Sequence, residues 1–204
     1  MVAEGADIID IGGESTRPGA AAVSEDEEAS RVVPVIQALR AAGVSVPISV
    51  DTYHASVAEK AVKAGASIVN DISAGEDDPA MLPFLGANGI PAILMHKRGN
   101  AVTMDGKTVY SDVTKEVADY CVKRSFDALA AGLPRWCVMA DPGLGFAKNY
   151  QQNLTLVREI PRFRELTGNM PLLVGMDGVW DGRSRDRASG SSARRRAFRR
   201  RTSA

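Results

Sequence analysis

The sequence predicts an α/β fold, an incomplete (β/α)8 TIM barrel followed by a disordered Arg-rich tail, on three observations. Short apolar, β-rich runs alternate with helical stretches, as parallel strands covered by helices require. Five runs close on or beside a carboxylate, an amide or an imidazole (Asp10, Asp51, Asn70-Asp71, His96 and Asp141), so polar groups sit at the carboxyl ends of successive strands, as around a barrel mouth. No dinucleotide-binding glycine fingerprint follows any run. An open doubly wound sheet, which six strands would also fill, gathers its polar groups at one switch point instead.

The elements follow in order. Residues 1–6 read as the last turn of a helix running into a strand over 6–11, which implies an earlier strand upstream. That strand breaks into Gly12-Gly13-Glu14-Ser15-Thr16-Arg17-Pro18-Gly19, a loop built to hold an anion: the glycines bring backbone N–H groups close, and Ser15, Thr16 and Arg17 add donors. A helix over 25–42 starts at the N-cap Ser24 with acidic Glu25, Asp26 and Glu27, and carries Val32, Val33, Val35, Ile36 and Leu39 at helical spacing. A strand over 46–50 ends at Asp51-Thr52, and a helix spans 55–64. A strand over 66–69 ends at Asn70-Asp71, and a helix around 79–87 leads to a strand over 91–95 that ends at His96-Lys97-Arg98-Gly99. Residues 100–111 are polar and long enough for an active-site loop. A long helix over 112–131 precedes a strand over 136–140 that ends at Asp141-Pro142-Gly143-Leu144-Gly145-Phe146-Ala147-Lys148. A helix near 151–166 and a sixth strand over 170–174 complete the series.

After Met176 the pattern stops, which divides the chain into a partial barrel domain over 1–176 and a tail over 177–204. The tail has nine Arg, no Lys and three Asp, no strand-like run and no helical stripe, and reads as disorder. The tail is therefore positive and the rest of the chain negative by the same amount, since the formal net charge is zero. Nine arginines would bind phosphate nonspecifically, but without interleaved aromatics or a recognisable module nucleic acid is not taken as a partner. An apolar content of 45% is ordinary for a globular domain. No apolar run approaches the ~20 residues that span a bilayer, so no membrane partner is expected. Cys121 and Cys137 give no disulfide framework and suggest a reducing compartment.

The strings GADIIDIGGESTRPGA, ISVDTYHASVAEKAVKAGASIVNDIS, ILMHKRGN and DPGLGFAKNYQQNL resemble those of the dihydropteroate synthase family, in family order from Met1 to Met176. The resemblance implies a (β/α)8 barrel of folate biosynthesis, the target of sulfonamides. Its reaction condenses 6-hydroxymethyl-7,8-dihydropterin diphosphate with 4-aminobenzoate, giving 7,8-dihydropteroate and pyrophosphate. It implies Asp51, Asn70 and Asp141 as pterin contacts, Met95 and Phe146 flanking the ring, and Gly175 close to it. Thr16 and Arg17 are implied as the catalytic pair at the diphosphate and the aminobenzoate. A pterin's 2-amino and N3–H groups form a donor edge that a carboxylate accepts as a pair, and this suits those residue types.

Taken singly, the same residues have plainer readings. Asp51 and Asp141 equally fit caps of the following helices, Asn70-Asp71 a turn, and Lys148 a solvated lysine. His96 reads as a structural hydrogen-bonding residue, His54 as exposed on a helix and Cys137 as core. No metal-ligand spacing points to zinc.

The resemblance also implies Mg2+, whose family ligand would lie upstream of Met1. After Gly175 the family continues with a Ser-Arg-Lys segment and a later Arg-x-His, where this chain has Asp177-Gly178-Val179-Trp180. The abrupt change reads as a frame shift or a mis-joined exon, and the isolated chain is expected to be inactive. A homodimer, or membership of a fused folate-pathway enzyme, is expected, in the cytoplasm or an organelle such as the mitochondrion. Two other readings stay open: a pterin-binding or partner-binding remnant without activity, and a methyltetrahydrofolate-type methyltransferase barrel. GESTRPG speaks against the latter, because that reaction has no diphosphate to hold.

Overall fold

The computed structural model describes residues 1–15, 22–99, 103 and 106–175, together with the backbone of 194–198. A 3₁₀ turn, Val2–Glu4, enters β1 (Ile8–Gly12). There follow α1 (Glu25–Ala41), β2 (Ile48–Asp51), α2 (Ala55–Ala64), β3 (Ile68–Asp71), α3 (Met81–Asn88), β4 (Ala92–Met95), α4 (Val113–Ala130), β5 (Val138–Asp141), α5 (Tyr150–Arg158), α6 (Ile160–Leu166) and β6 (Arg194–Phe198). Helix starts obey their caps: the side chains of Ser24, Asp112 and Asn149 accept from the N–H groups of Glu27, Lys115 and Gln152. At Asn149 the Gln152 side chain returns the bond, closing a capping box.

The sheet runs β5-β4-β3-β2-β1-β6, with β1 to β5 parallel. The five parallel strands follow chain order without reversal, so every crossover among them steps the same way. That is the winding of a barrel wall; a doubly wound sheet reverses once. One face of the wall is apolar. Ile9, Ile11, Ile48, Val50, Val69, Ala92, Leu94, Val138 and Ala140 join a continuous core with Val32 and Ile36 of α1, Val57 and Ala61 of α2, Leu85 of α3 and Val117 of α4. Each buried Val, Leu or Ile there contributes roughly 1.5–3 kcal/mol. Side chains alternate along a strand, so the residues between them face the other way, and these include Asp10, Ser49, Asp51, Asn70, Met95 and Asp141.

Three expectations change. The sixth parallel strand is reduced to one bridge between Ala140 and Leu172, flanked by bonds from Ala140 N–H to the Pro171 carbonyl and from Leu173 N–H to the Ala140 carbonyl, each 2.9 Å. Pro171 has no N–H to extend a ladder. The single helix near 151–166 is two, broken at Glu159, because Pro161 two residues on cannot donate to a preceding turn. The tail, read as disorder, contributes the antiparallel strand β6 in register along all of β1. Its backbone pairs with an edge that lies within the buried part of the sheet, where unpaired N–H and C=O groups are costly. The other residues of 177–204 lie outside the described residues, apart from those five.

Candidate active site

The site is assembled by register. Gly12 stands opposite Asp51, Asp51 opposite Asn70, and Met95 opposite Asp141, while Asn70 opposes Ile93, one pleat below Met95. Adjacent strands are about 4.8 Å apart, so these side chains form one continuous row at the carboxyl end of the wall. They are buried, with Asp51, Asn70 and Asp141 no more than 9% exposed. Neither aspartate caps a helix. The residue before α2 is His54, the N-cap of α5 is Asn149, and the Asp141 carboxylate accepts instead from Gly143 N–H at 2.8 Å.

Beneath the row lies Asp10, 1% exposed. One of its carboxylate oxygens accepts from the Ser49 hydroxyl at 2.5 Å, and the other from Asn70 Nδ2 at 3.3 Å. With its NH₂ so engaged, Asn70 directs its carbonyl oxygen away from Asp10. The neighbouring Asp71 points to the helix side and is structural: its carboxylate accepts from Ser73 N–H and hydroxyl at 2.7 Å and from Gly75 N–H at 2.6 Å. Of the pair Asn70-Asp71, the turn reading belongs to Asp71 alone. Burial pushes the Asp71 carboxyl above its usual range, against the pull of those bonds.

The loop after β5 closes one end of the row. Gly143 has φ +64°, and a Cβ there would lie 2.0 Å from the His96 carbonyl oxygen, so backbone meets backbone at this point and only glycine fits. Lys148 folds back under the loop, 7% exposed. Its Nζ donates to the carbonyls of Gly143 at 2.8 Å and Phe146 at 2.9 Å, and lies 3.0 Å from His96 Nδ1. Burial, helped by the Lys148 charge, pushes the His96 pKa down to about 2, so the imidazole is neutral and Nδ1 accepts. Burial likewise lowers Lys148 to about 7, against the attraction of Asp141. Cys121 of α4 sits 3.8 Å from the Asp141 carbonyl, its thiol pushed up to about 12 by burial. The solvated reading of Lys148 is corrected: the chain reverses over 141–148 and encloses the side chain. His96 has the structural role expected of it.

Nearby, Arg98 donates to the Val109 carbonyl at 2.7 Å and to Glu116 at 2.8 Å, and stacks 3.8 Å from the Tyr110 ring centre. The Arg98 guanidinium, with Ser111, holds the Glu116 carboxyl at about 2. This ties the described end of the 100–111 loop to α4; residues 100–102, 104 and 105 lie outside the described residues.

Glu14, Glu28 and His54 bring three ligand-capable atoms within 4.8 Å of one another. His54, expected on an exposed helix face, is instead the residue preceding α2, half-buried, with Nδ1 2.8 Å from the buried Glu28 carboxylate. The Tyr53 hydroxyl donates to Glu14 at 3.0 Å. Magnesium takes oxygen ligands and retains water; an imidazole and a carboxylate already bonded to each other do not fit it. No other such group occurs among the described residues.

Of the residues singled out by sequence, Asp51, Asn70, Met95 and Asp141 share one face. Phe146 is half-buried on the adjoining loop, with its N–H bonded to the Gly143 carbonyl at 3.1 Å. Gly175 follows the bridged segment with open space beside its Cα. Thr16 and Arg17 lie outside the described residues. Asp10, Ser49 and Lys148 were missed. Asp10 could have been found from its place two residues before Gly12 in an otherwise apolar run, and Lys148 from its place at the end of the Asp141–Lys148 string that carries the resemblance; nothing local marks Ser49.

The pterin binding enzyme family profile matches residues 1–197. The chain is 46% identical over 175 residues to the dihydropteroate synthase of Synechocystis sp., covering 86% of this chain and 60% of that protein. It is 42% identical over 194 residues to the mitochondrial folate synthesis bifunctional protein of Arabidopsis thaliana, covering 93% of this chain and 35% of that protein. The structure of Xanthomonas albilineans dihydropteroate synthase with 4-aminobenzoic acid superimposes with a TM-score of 0.78 at 42% identity, over 86% of this chain and 60% of that one. The chain thus spans about a third and three fifths of the length of these two curated relatives.

Proposed function

The chain belongs to the pterin binding enzyme family, and from that membership we propose that it is the pterin-holding part of a dihydropteroate synthase. The proposed reaction joins 6-hydroxymethyl-7,8-dihydropterin diphosphate and 4-aminobenzoate into 7,8-dihydropteroate with release of pyrophosphate. The observation that carries this is the row of Asp51, Asn70 and Asp141 on one face of parallel strands, with Met95 beside them. Carboxylates accept the paired N–H donors of a pterin edge, and charge-assisted bonds of this kind are about twice as strong as neutral ones. The Met95 thioether and the Phe146 ring suit the faces of a flat heterocycle. Departure of pyrophosphate leaves a resonance-stabilised cation at the pterin methylene, which the aniline nitrogen attacks. Thr16 and Arg17 are assigned to the leaving diphosphate and the amine, where positive donors lower the barrier.

Fluorescence titration of the purified chain with 6-hydroxymethyl-7,8-dihydropterin tests the reading. Saturable binding is expected, weakened by about 10- to 100-fold in Asp51→Asn, the loss expected for one charged hydrogen-bond acceptor; no saturable binding would refute it. After Gly175 the sequence lacks the Ser-Arg-Lys segment and the later Arg-x-His that the resemblance implies, and on that ground the isolated chain is expected to make no dihydropteroate above a heat-killed control. Fusion to a second folate-pathway enzyme is proposed on the bifunctional relatives, and a homodimer and a mitochondrial or cytoplasmic location remain proposals. Among the described residues no helix is long and apolar enough to cross a membrane.

A further inference from the structure

We propose that Lys148 is a positioning residue, whose ammonium ties Gly143, Phe146 and His96 together and so fixes the turn that presents Asp141 and Phe146 to a bound pterin. The inference deepens the pterin-binding reading and its ligand half rests on it. The geometry is specific. An ammonium has three N–H donors and no acceptor, and here three acceptors converge on it: two backbone carbonyls of the same loop and the lone pair of a neutral imidazole from the end of β4. The turn is not one the chain would keep unaided. Gly143 has φ +64° and Ala147 has φ +50°, and a left-handed alanine costs roughly 1–2 kcal/mol. The Tyr110 hydroxyl donates to the Ala147 carbonyl at 3.1 Å, a second tie on the same turn.

A buried charge is costly, and an apolar side chain of similar volume often serves stability as well or better. A methionine would fill this space. What methionine cannot do is join the two ends of the loop to β4, and that is the role assigned here. The charged and titratable groups around Nζ are His96 and Arg98 from the end of β4, Asp141 from β5, and Cys121 from α4. Tyr120 of α4 stacks edge-on against His96, with ring centres 4.9 Å apart.

The test compares the chain with Lys148→Met by two readouts. The first is hydrogen exchange of the amides of residues 143–147, which needs no ligand. The second is affinity for 6-hydroxymethyl-7,8-dihydropterin from about pH 6 to about pH 8.5, either side of the Lys148 titration. Expected for Lys148→Met are exchange faster by about tenfold at those amides with the amides of β2 and β3 unchanged, and pterin affinity about tenfold weaker. The native chain's affinity falls as pH rises through about 7, where the third donor is lost, and the variant's profile is flat. Exchange and affinity both within twofold of the native chain, with the same pH profile, overturn the proposal. Should the native chain bind no pterin, the functional reading falls, and loop exchange alone decides the clamp. Should Lys148→Met not fold, the native chain decides it. Loop amides that loosen above pH 7, after correction for the intrinsic rise of exchange with pH, support the clamp, and amides that do not loosen refute it.

Discussion

Asp10 and Lys148 show how much of this site depends on groups that a pterin would not touch. Asp10 holds the Asn70 amide in one orientation through a buried bond. Asp10→Asn leaves one acceptor oxygen for the two donors, so either the Ser49 hydroxyl reverses to accept from the new NH₂ or Asn70 loses its partner, and the help of the charge is lost in both cases; a stability loss of about 1–3 kcal/mol is expected, read by urea unfolding, with weaker pterin binding alongside. Lys148 has an ordinary value of 10.5, lowered in the fold to about 7. Between those two values the unfolded chain binds more protons than the folded one, so stability rises with pH across that window. Pterin affinity is expected to move the other way, because the same proton orders the turn while its burial costs the fold. Unfolding measured at several pH values from about 6.5 to 9.5 checks the first half, and the rise should disappear in Lys148→Met.

At the scale of elements, close approaches decide what propensity alone would misjudge. Gly86 lies inside α3, where alanine usually stabilises a helix by roughly 1 kcal/mol. Here a Cβ would stand 1.9 Å from the Ala131 carbonyl oxygen at the end of α4, and overpacking of this kind costs about 1–3 kcal/mol or more. Gly86→Ala is therefore expected to lower Tm by several degrees, visible in a thermal scan by circular dichroism. The same competition explains which elements were legible. Strands β1 to β5 and their helices declared themselves through apolar runs, caps and terminal glycines. The sixth strand shrank to a bridge beside Pro171, and the helix after Asn149 broke before Pro161. Strand β6 has no local signal at all: a run of three arginines takes strand form through backbone pairing with β1, which no propensity of its own supplies.

For the whole molecule, the unreversed order of the five parallel strands gathers the strand ends on one rim. A ligand that binds only this assembled rim stabilises the fold by mass action, about 2.7 kcal/mol at a hundred times its Kd. For a domain of this size that is a Tm increase of roughly 5–10 °C. Differential scanning with and without 6-hydroxymethyl-7,8-dihydropterin reads it, and no shift at saturating ligand would count against the rim as the binding surface. The alternation of strands and helices and the polar groups closing the strands were determined by the sequence alone, because they are local and follow from period and composition, and the family was legible in the resemblance of four motif strings. Only the tertiary structure decided that Asp71 is tied into the turn after β3, that Asp10 lies beneath the site, and that Lys148 is enclosed. A residue's face depends on the register of strands far apart in sequence, and its burial on where the chain turns back. Neither is written at the residue itself.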